Sequence, residues 1–126
     1  MNAPLLAAGV LAAVTAGIHL IAGHADTVRP LLASSLNEAS KRTLHGCWHI
    51  ASVVQAVSAV VLLYLAVFGG GASADALARL IALNYFGFGL VFLAIALSVA
   101  WPKGLIRPPQ WALLLPIAAL AWWGTV

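Results

Sequence analysis

Four long runs of apolar residues, separated by short polar connections, take up most of this sequence. They cover residues 3–23, 44–68, 77–101 and 111–126. An α-helix rises about 1.5 Å per residue, so about 20 apolar residues cross the roughly 30 Å hydrocarbon core of a bilayer. A single run in that core must satisfy its own backbone hydrogen bonds, which a helix does. The sequence therefore predicts an all-α, up-and-down bundle of four transmembrane helices.

The composition leaves little for a soluble part. The chain is 63% apolar and only 7% charged, whereas a soluble domain has about 25% charged residues. We therefore expect residues 1–126 to form one integral membrane domain. No Lys or Arg precedes Arg29, which argues against a signal peptide and favours a retained first helix. The fourth run is the shortest and contains Pro116, so it fits the pattern of a membrane span less well than the other three.

The basic residues predict the orientation. Five of the six lie in the first and third connections, namely Arg29, Lys41, Arg42, Lys103 and Arg107. Only Arg79 lies on the opposite side. Cytoplasmic loops carry the excess of Lys and Arg, so we expect both connections in the cytoplasm and both termini outside, in the bacterial inner membrane. Anionic lipid head groups account for the net charge of +3, and no nucleic-acid partner is needed.

All four histidines lie where the first two runs are joined, at His19, His24, His45 and His49. An ionisable residue in a membrane span is by default a hypothesis for a functional site. His45 and His49 are spaced i, i+4 and share a helix face, whereas Cys47 points away from them and is typical of a packing residue. His24 lies about 140° around the helix from His19, so it is expected to point elsewhere.

The two helices of a symmetric hairpin place His19 level with His49, and His24 level with His45. His19 continues one row of small residues at helical spacing, and the pair His45 and His49 heads another. The rows are Ala8, Ala12, Ala16 and Ser52, Ala56, Ala59. Small residues mark close helix contacts in membranes. We therefore expect His19, His45 and His49 to face the bundle and to meet between the first two helices.

A metal ion is the first candidate ligand for this cluster. Neutral imidazole is the commonest metal ligand, and two histidines at i, i+4 can bind one ion. The expected site consists of His19, His45 and His49, completed by His24, Glu38, Asp26 or water. Because ligation needs the neutral ring, its occupancy should fall as the pH falls through the range where imidazole titrates.

Other functions stay open. A b-type haem could be held by His19 and His49, with Gly17 and Gly46 allowing its close approach. The same histidines could instead handle protons or a small substrate. In a third alternative the histidines are interfacial, and the protein is an accessory subunit that packs on a partner complex or forms a homo-oligomer. The sequence carries no recognised catalytic motif and favours a non-enzymatic role over an enzyme.

Two amides lie within the apolar runs, Gln55 in the second and Asn84 in the third. An amide in hydrocarbon seeks a partner, so we expect both to clamp neighbouring helices. A polar track leading away from the histidines, extended by Tyr85, Ser52 and Ser58, is the alternative.

Arg29-Pro30 and Arg107-Pro108 are interpreted as lipid-facing anchors, with an anionic substrate held between Arg29 and Arg107 as the alternative. Four tryptophans are expected to anchor the helices at the membrane interfaces, namely Trp101, Trp111, Trp122 and Trp123. Trp48 is expected to serve in packing.

Residues 24–43 are predicted to form a cytoplasmic loop followed by an extension of the second helix. Pro30 should end the first helix, since the residue before proline avoids the helical region. Ser35 and Glu38 fit a capping box, so a helix of roughly 50 Å is expected to begin at Leu36. Glu38 and Arg42 then have the spacing of a surface ion pair.

Several short motifs resemble small uncharacterised four-helix membrane proteins of bacteria. These motifs are Ile18-His19, Arg29-Pro30-Leu31-Leu32, Leu44-His45, Cys47-Trp48-His49 and Pro109-Gln110-Trp111. The resemblance extends over most of the chain. It implies the four-helix architecture and brings no assigned activity with it.

Overall fold

Helices make up nearly all of the computed structural model, which describes residues 1–98 and 110–126. The elements are α1 (Ala3–Gly23), a π-helical turn (His24–Val28), α2 (Arg29–Ala33), α3 (Glu38–Phe68), α4 (Ala72–Ser98) and α5 (Trp111–Trp123). No strand occurs in these ranges. The predicted all-α class and four-helix architecture are confirmed. Three helices are long and apolar enough to cross a membrane, namely Ala3–Ala33, Glu38–Phe68 and Ala72–Ser98, whereas α5 is shorter.

The first helix continues past the point where the sequence predicts its end. After Gly23 the helix widens into a π turn, in which the backbone N–H of Arg29 donates to the carbonyl of His24. Pro30 follows this turn, and the chain stays helical to Ala33. The prediction that Pro30 ends the first helix is therefore wrong. A wide turn just before a proline relieves the clash between its ring and the preceding turn.

The start of α3 differs from the predicted capping box. Helix α3 begins at Glu38, and the side-chain oxygen of Asn37 accepts a 2.9 Å hydrogen bond from the N–H of Ser40. Asn37 is as good a cap as serine, so the prediction of Ser35 as the cap is wrong. The predicted pair of Glu38 and Arg42 is confirmed, with Nε and Oε2 3.6 Å apart. Lys41 lies closer still, at 2.6 Å, and its hydrogen bond and charge lower the pKa of Glu38.

Helix α1 lies at the centre of the packing. It contacts α3 along its length and also packs on α5, which in turn packs on α4. By contrast, α3 and α4 make few contacts, although the short turn at residues 69–71 joins them. Gly71 in that turn has φ of 80°, in the left-handed region that favours glycine.

The predicted row of small residues on α1 faces the bundle. Ala8 and Ala12 are fully buried and Ala16 is nearly so, which confirms the prediction. On α3, Ser52 and Ala59 are buried, but Ala56 is exposed, so the second predicted row is only partly correct. The contact face of α3 continues instead through Leu62 and other residues of the core, among them Leu65 and Ala66.

Glycines permit two close helix contacts away from the histidines. A Cβ atom on Gly9 would lie 2.9 Å from the side chain of Leu63 in α3, and one on Gly89 would lie 2.6 Å from Leu115 in α5. Substitution at either position would push helices apart. The glycines expected to allow close approach near the histidines, Gly17 and Gly46, border open space.

The third and fourth runs agree with the structure as far as it describes them. Helix α4 begins at Ala72, five positions before the predicted start, and α5 continues through Pro116. Trp122 and Trp123 near its end are exposed, as expected of interfacial anchors. The predictions for Trp101, Lys103 and Arg107 lie outside the described residues.

Candidate histidine and tryptophan site

Trp48 on α3 joins the histidines of the two helices. Its indole stacks on the ring of His19 in α1, with the ring centres 4.6 Å apart and the planes tilted by 18°. The ring of His24 meets the indole edge-on at 6.0 Å, and that of His49 does so at 5.1 Å. Trp48 therefore contacts three of the four histidines. The sequence predicted that Trp48 serves in packing, but it did not predict these contacts. His24, expected to point elsewhere, shares this contact.

The hydrogen bonds of Ser52 define the proton position on His19. The Ser52 hydroxyl donates a 2.9 Å hydrogen bond to the carbonyl of Trp48, one turn earlier. The same oxygen lies 3.1 Å from Nε2 of His19. A hydroxyl has a single proton, and with that proton given to the Trp48 carbonyl, Nε2 of His19 is the donor in its contact with Ser52. In the neutral ring the lone pair is then on Nδ1, and Nε2 is not free to bind a metal.

His45 and His49 form a second, separate unit on α3. Their Nε2 atoms are 3.0 Å apart, and their ring centres are 4.6 Å apart. The predicted sharing of one helix face is confirmed. At this distance one Nε2 carries a proton and the other accepts it. His45 is half-buried and His49 is exposed, so the expectation that both face the bundle is wrong for His49.

The predicted three-histidine set is not brought together. Within residues 1–98 and 110–126, no group of three or more His, Cys, Asp or Glu side chains is placed to hold a metal ion. Trp48 stacks on His19 and makes a T-shaped contact with His49, so the indole packs against both units. The two carboxylates named as further ligands do not complete the set: Glu38 pairs with Lys41 and Arg42, and Asp26 is exposed.

Gly23 leaves a small space beside the stacked rings. A Cβ atom at this position would lie 3.9 Å from Nδ1 of His19 and 3.8 Å from Nε1 of Trp48. Nδ1 of His19 is an acceptor in the neutral ring assigned above, and Nε1 of Trp48 is a donor. An acceptor and a donor thus border the same space, one helical turn after His19.

The other polar residues singled out in the sequence do not join this site. Asn84 is exposed, and its amide donates to the carbonyl of Leu80 in its own helix, so the predicted clamp is wrong there. The buried side-chain oxygens of Gln55 and Tyr85 have no hydrogen-bond partner in the described part of the chain. Hydrogen bonds therefore do not connect a polar track through these residues. Arg29 and Cys47 are exposed.

Sequence reasoning did not predict the contacts that Trp48 and Ser52 make with His19. Both lie on the α3 face that packs on α1, and Ser52 follows Trp48 by one turn, a spacing at which a hydroxyl reaches the preceding carbonyl. Their contact with His19 depends on how two helices pack, which a helix-face argument does not define.

Comparison with known proteins adds no assignment, since no protein-family model, no curated protein and no solved structure matches this chain.

Proposed function

We propose that this protein is a small multi-spanning protein of the bacterial inner membrane that binds a transition-metal ion through His45 and His49. The observation that supports this proposal is the 3.0 Å separation of their Nε2 atoms. The two nitrogens lie next to each other, and one of the two rings is exposed to an incoming ion. We expect this end of the bundle to be the cytoplasmic one, because the connections there carry five of the six basic residues.

The separation of the two nitrogens favours some metals over others. Imidazole nitrogens bind such ions at about 2.0–2.1 Å, so two nitrogens 3.0 Å apart subtend an angle of roughly 90–100° at the ion. That angle fits neighbouring ligands of a square-planar or octahedral ion. Copper(II) and nickel(II) adopt such geometries with nitrogen ligands, whereas zinc(II) prefers tetrahedral sites. We therefore expect copper(II) or nickel(II) to bind more tightly than zinc(II), with water in the remaining positions.

In this proposal His19 and Trp48 support the pair and do not bind the ion. Nε2 of His19 donates to Ser52, and the stacked indole in turn contacts His49. Such contacts restrict the ring of a ligand and raise its affinity. A haem held by His19 and His49 fits less well, because Trp48 contacts both rings and would have to move.

Proton handling is a second candidate, and the hydrogen bond between His45 and His49 is the observation that favours it. Two imidazoles joined by a hydrogen bond can pass a proton from one ring to the other. This candidate requires no metal. The accessory-subunit alternative requires neither a metal nor a particular protonation state of the pair.

Metal titration of untagged protein in detergent tests the proposal. We expect about one copper(II) per chain, with nitrogen hyperfine couplings in the electron paramagnetic resonance spectrum. His45→Ala and His49→Ala should each remove most of the binding, and the double variant should lose little more, because two ligands of one ion act together. His24→Ala is the matched control and should bind as the wild type does. Copper(II) binding that persists in the double variant, or its absence from the wild type, would contradict the proposal.

A further inference from the structure

An apolar groove lies between α4 and α5, away from the histidines. Its volume is about 610 Å³, within the roughly 300–1,000 Å³ range of ligand pockets. Leu83 and Phe86 line one side, Leu115 and Trp122 line the other, and three alanines complete it. Leu83 and Phe86 are 56% and 49% exposed, so the groove opens away from the bundle.

Arg79 stands one helical turn before Leu83, beside Trp122 of the groove. Its Nε donates to the hydroxyl of Thr125 at 3.0 Å, and one terminal nitrogen donates to the Thr125 carbonyl at 2.8 Å. The centre of the guanidinium lies 5.9 Å from the Trp122 ring. These contacts hold the side chain in place and use two of its five N–H groups. In the described part of the chain, the ion pairs are those of Glu38, so Arg79 has no carboxylate partner there.

We infer that this groove binds an anionic phospholipid, with one acyl chain along Leu83, Phe86 and Leu115 and the phosphate at Arg79. Phe86 follows Arg79 by seven positions, roughly 10 Å along the helix, so the apolar surface extends from the charge along the helix axis. Arginine and tryptophan are residues of the lipid head-group level. A phosphate would accept the remaining N–H groups of Arg79 through charge-assisted hydrogen bonds.

The charge of Arg79 favours a lipid over a second copy of this chain as the occupant. A protein surface that covered the groove edge would remove water from the guanidinium, which is costly for a charge without a partner. A phosphate compensates that charge and leaves the head group in water. The exposed apolar side chains of the groove then contact an acyl chain, as expected for a surface facing lipid.

Native mass spectrometry of the full-length protein in detergent, with added lipid, tests this inference. We expect phosphatidylglycerol to be retained about tenfold more strongly than phosphatidylcholine of the same acyl chains, because both lipids carry the phosphate but the choline ammonium of phosphatidylcholine offsets its attraction to Arg79. Ala119→Trp, which fills the groove, should abolish retention of both lipids. Arg79→Gln should remove the preference for phosphatidylglycerol, and Arg79→Lys should keep part of it.

Two controls separate lipid binding from structural effects. Ala112→Trp adds the same bulk at an exposed position of α5 outside the groove and should retain lipid as the wild type does. Thr125→Val removes the hydroxyl that accepts from Arg79 but keeps the charge, so the lipid preference should persist. Equal retention of both lipids by the wild type, or unchanged retention in Ala119→Trp, would overturn the inference. So would a lipid-free dimer that Ala119→Trp converts to a monomer.

Discussion

The side-chain amide of Asn2 donates a 2.7 Å hydrogen bond to the backbone carbonyl of Gly124, 122 positions further along the sequence. The backbone N–H of Asn2 also donates to the carbonyl of Ala66 at 2.8 Å. Its side-chain oxygen accepts from the N–H of Leu5 at 3.1 Å and caps α1. One residue therefore connects the start of α1, the end of α3 and the residue after α5, at the end of the bundle opposite the histidines.

Replacing Asn2 should destabilise the protein by about 1–3 kcal/mol, because Asn2→Ala removes both the helix cap and the hydrogen bond to Gly124. The free energy of unfolding in mixed micelles measures this effect. Asn2→Ser keeps a capping oxygen but does not reach Gly124, so its loss should be smaller. Equal stability of Asn2→Ala and the wild type would contradict the assigned role.

Leucine at Ala12 should destabilise the bundle by about 1–3 kcal/mol, because Ala12 is fully buried and added bulk forces the helices apart. Ala13 is the neighbouring residue and is exposed, so Ala13→Leu is a matched control that should be nearly neutral. Thermal unfolding in detergent compares the two variants. Similar losses at both positions would show that α1 does not pack through the face described above.

Helical geometry explains how much of this structure could be predicted. The apolar runs predict the helices, and i, i+4 spacing predicts the pairing of His45 with His49. The antiparallel pairing of α1 with α3 also follows. Gly9 contacts Leu63 and Asn2 contacts Ala66, and the two residue numbers of each pair add up to nearly the same value, as in the predicted hairpin.

Features that depend on contacts between helices could not be predicted in this way. The π turn changes where the residues after Gly23 point, and no propensity of the segment from His24 to Val28 indicates it. The position of the Trp48 indole depends on the packing of α3 against α1. Consequently the histidines could be assigned to one end of one hairpin, but their division into a pair and a stack could not be foreseen.

The orientation of the bundle can be tested with a reporter that is active only in the cytoplasm. We expect a fusion after Val126 to be silent and a fusion after Ser35 to be active, because the connection near Ser35 carries Arg29, Lys41 and Arg42. Equal expression of both fusions, checked by immunoblot, is the control. Activity of the fusion after Val126 would place the histidines on the other side of the membrane.

The tautomer of His19 is a direct test of the hydrogen bonds around Ser52. Nitrogen-15 chemical shifts of the imidazole should show that neutral His19 carries its proton on Nε2, because the Ser52 hydroxyl already donates to the Trp48 carbonyl. Ser52→Ala should shift the Nε2 resonance of His19, because the hydrogen bond to the hydroxyl is lost. In Ser58→Ala, the matched control at another buried serine of α3, the shifts of His19 should not change. A proton on Nδ1 in the wild type would contradict this arrangement.

The pH dependence of copper(II) binding separates a metal site from a proton-sharing pair. Each imidazole must lose its ring proton at Nε2, or bind in the tautomer that lacks it, before it can ligate, so affinity should fall as the pH is lowered through the range where imidazole titrates. Calorimetry in buffers of different ionisation enthalpy measures the protons released. His24→Ala should release the same number as the wild type, whereas His49→Ala should show little heat of binding and little proton release, because the loss of one ligand removes most of the binding. Proton release unchanged in His49→Ala would place the bound ion somewhere other than the His45–His49 pair.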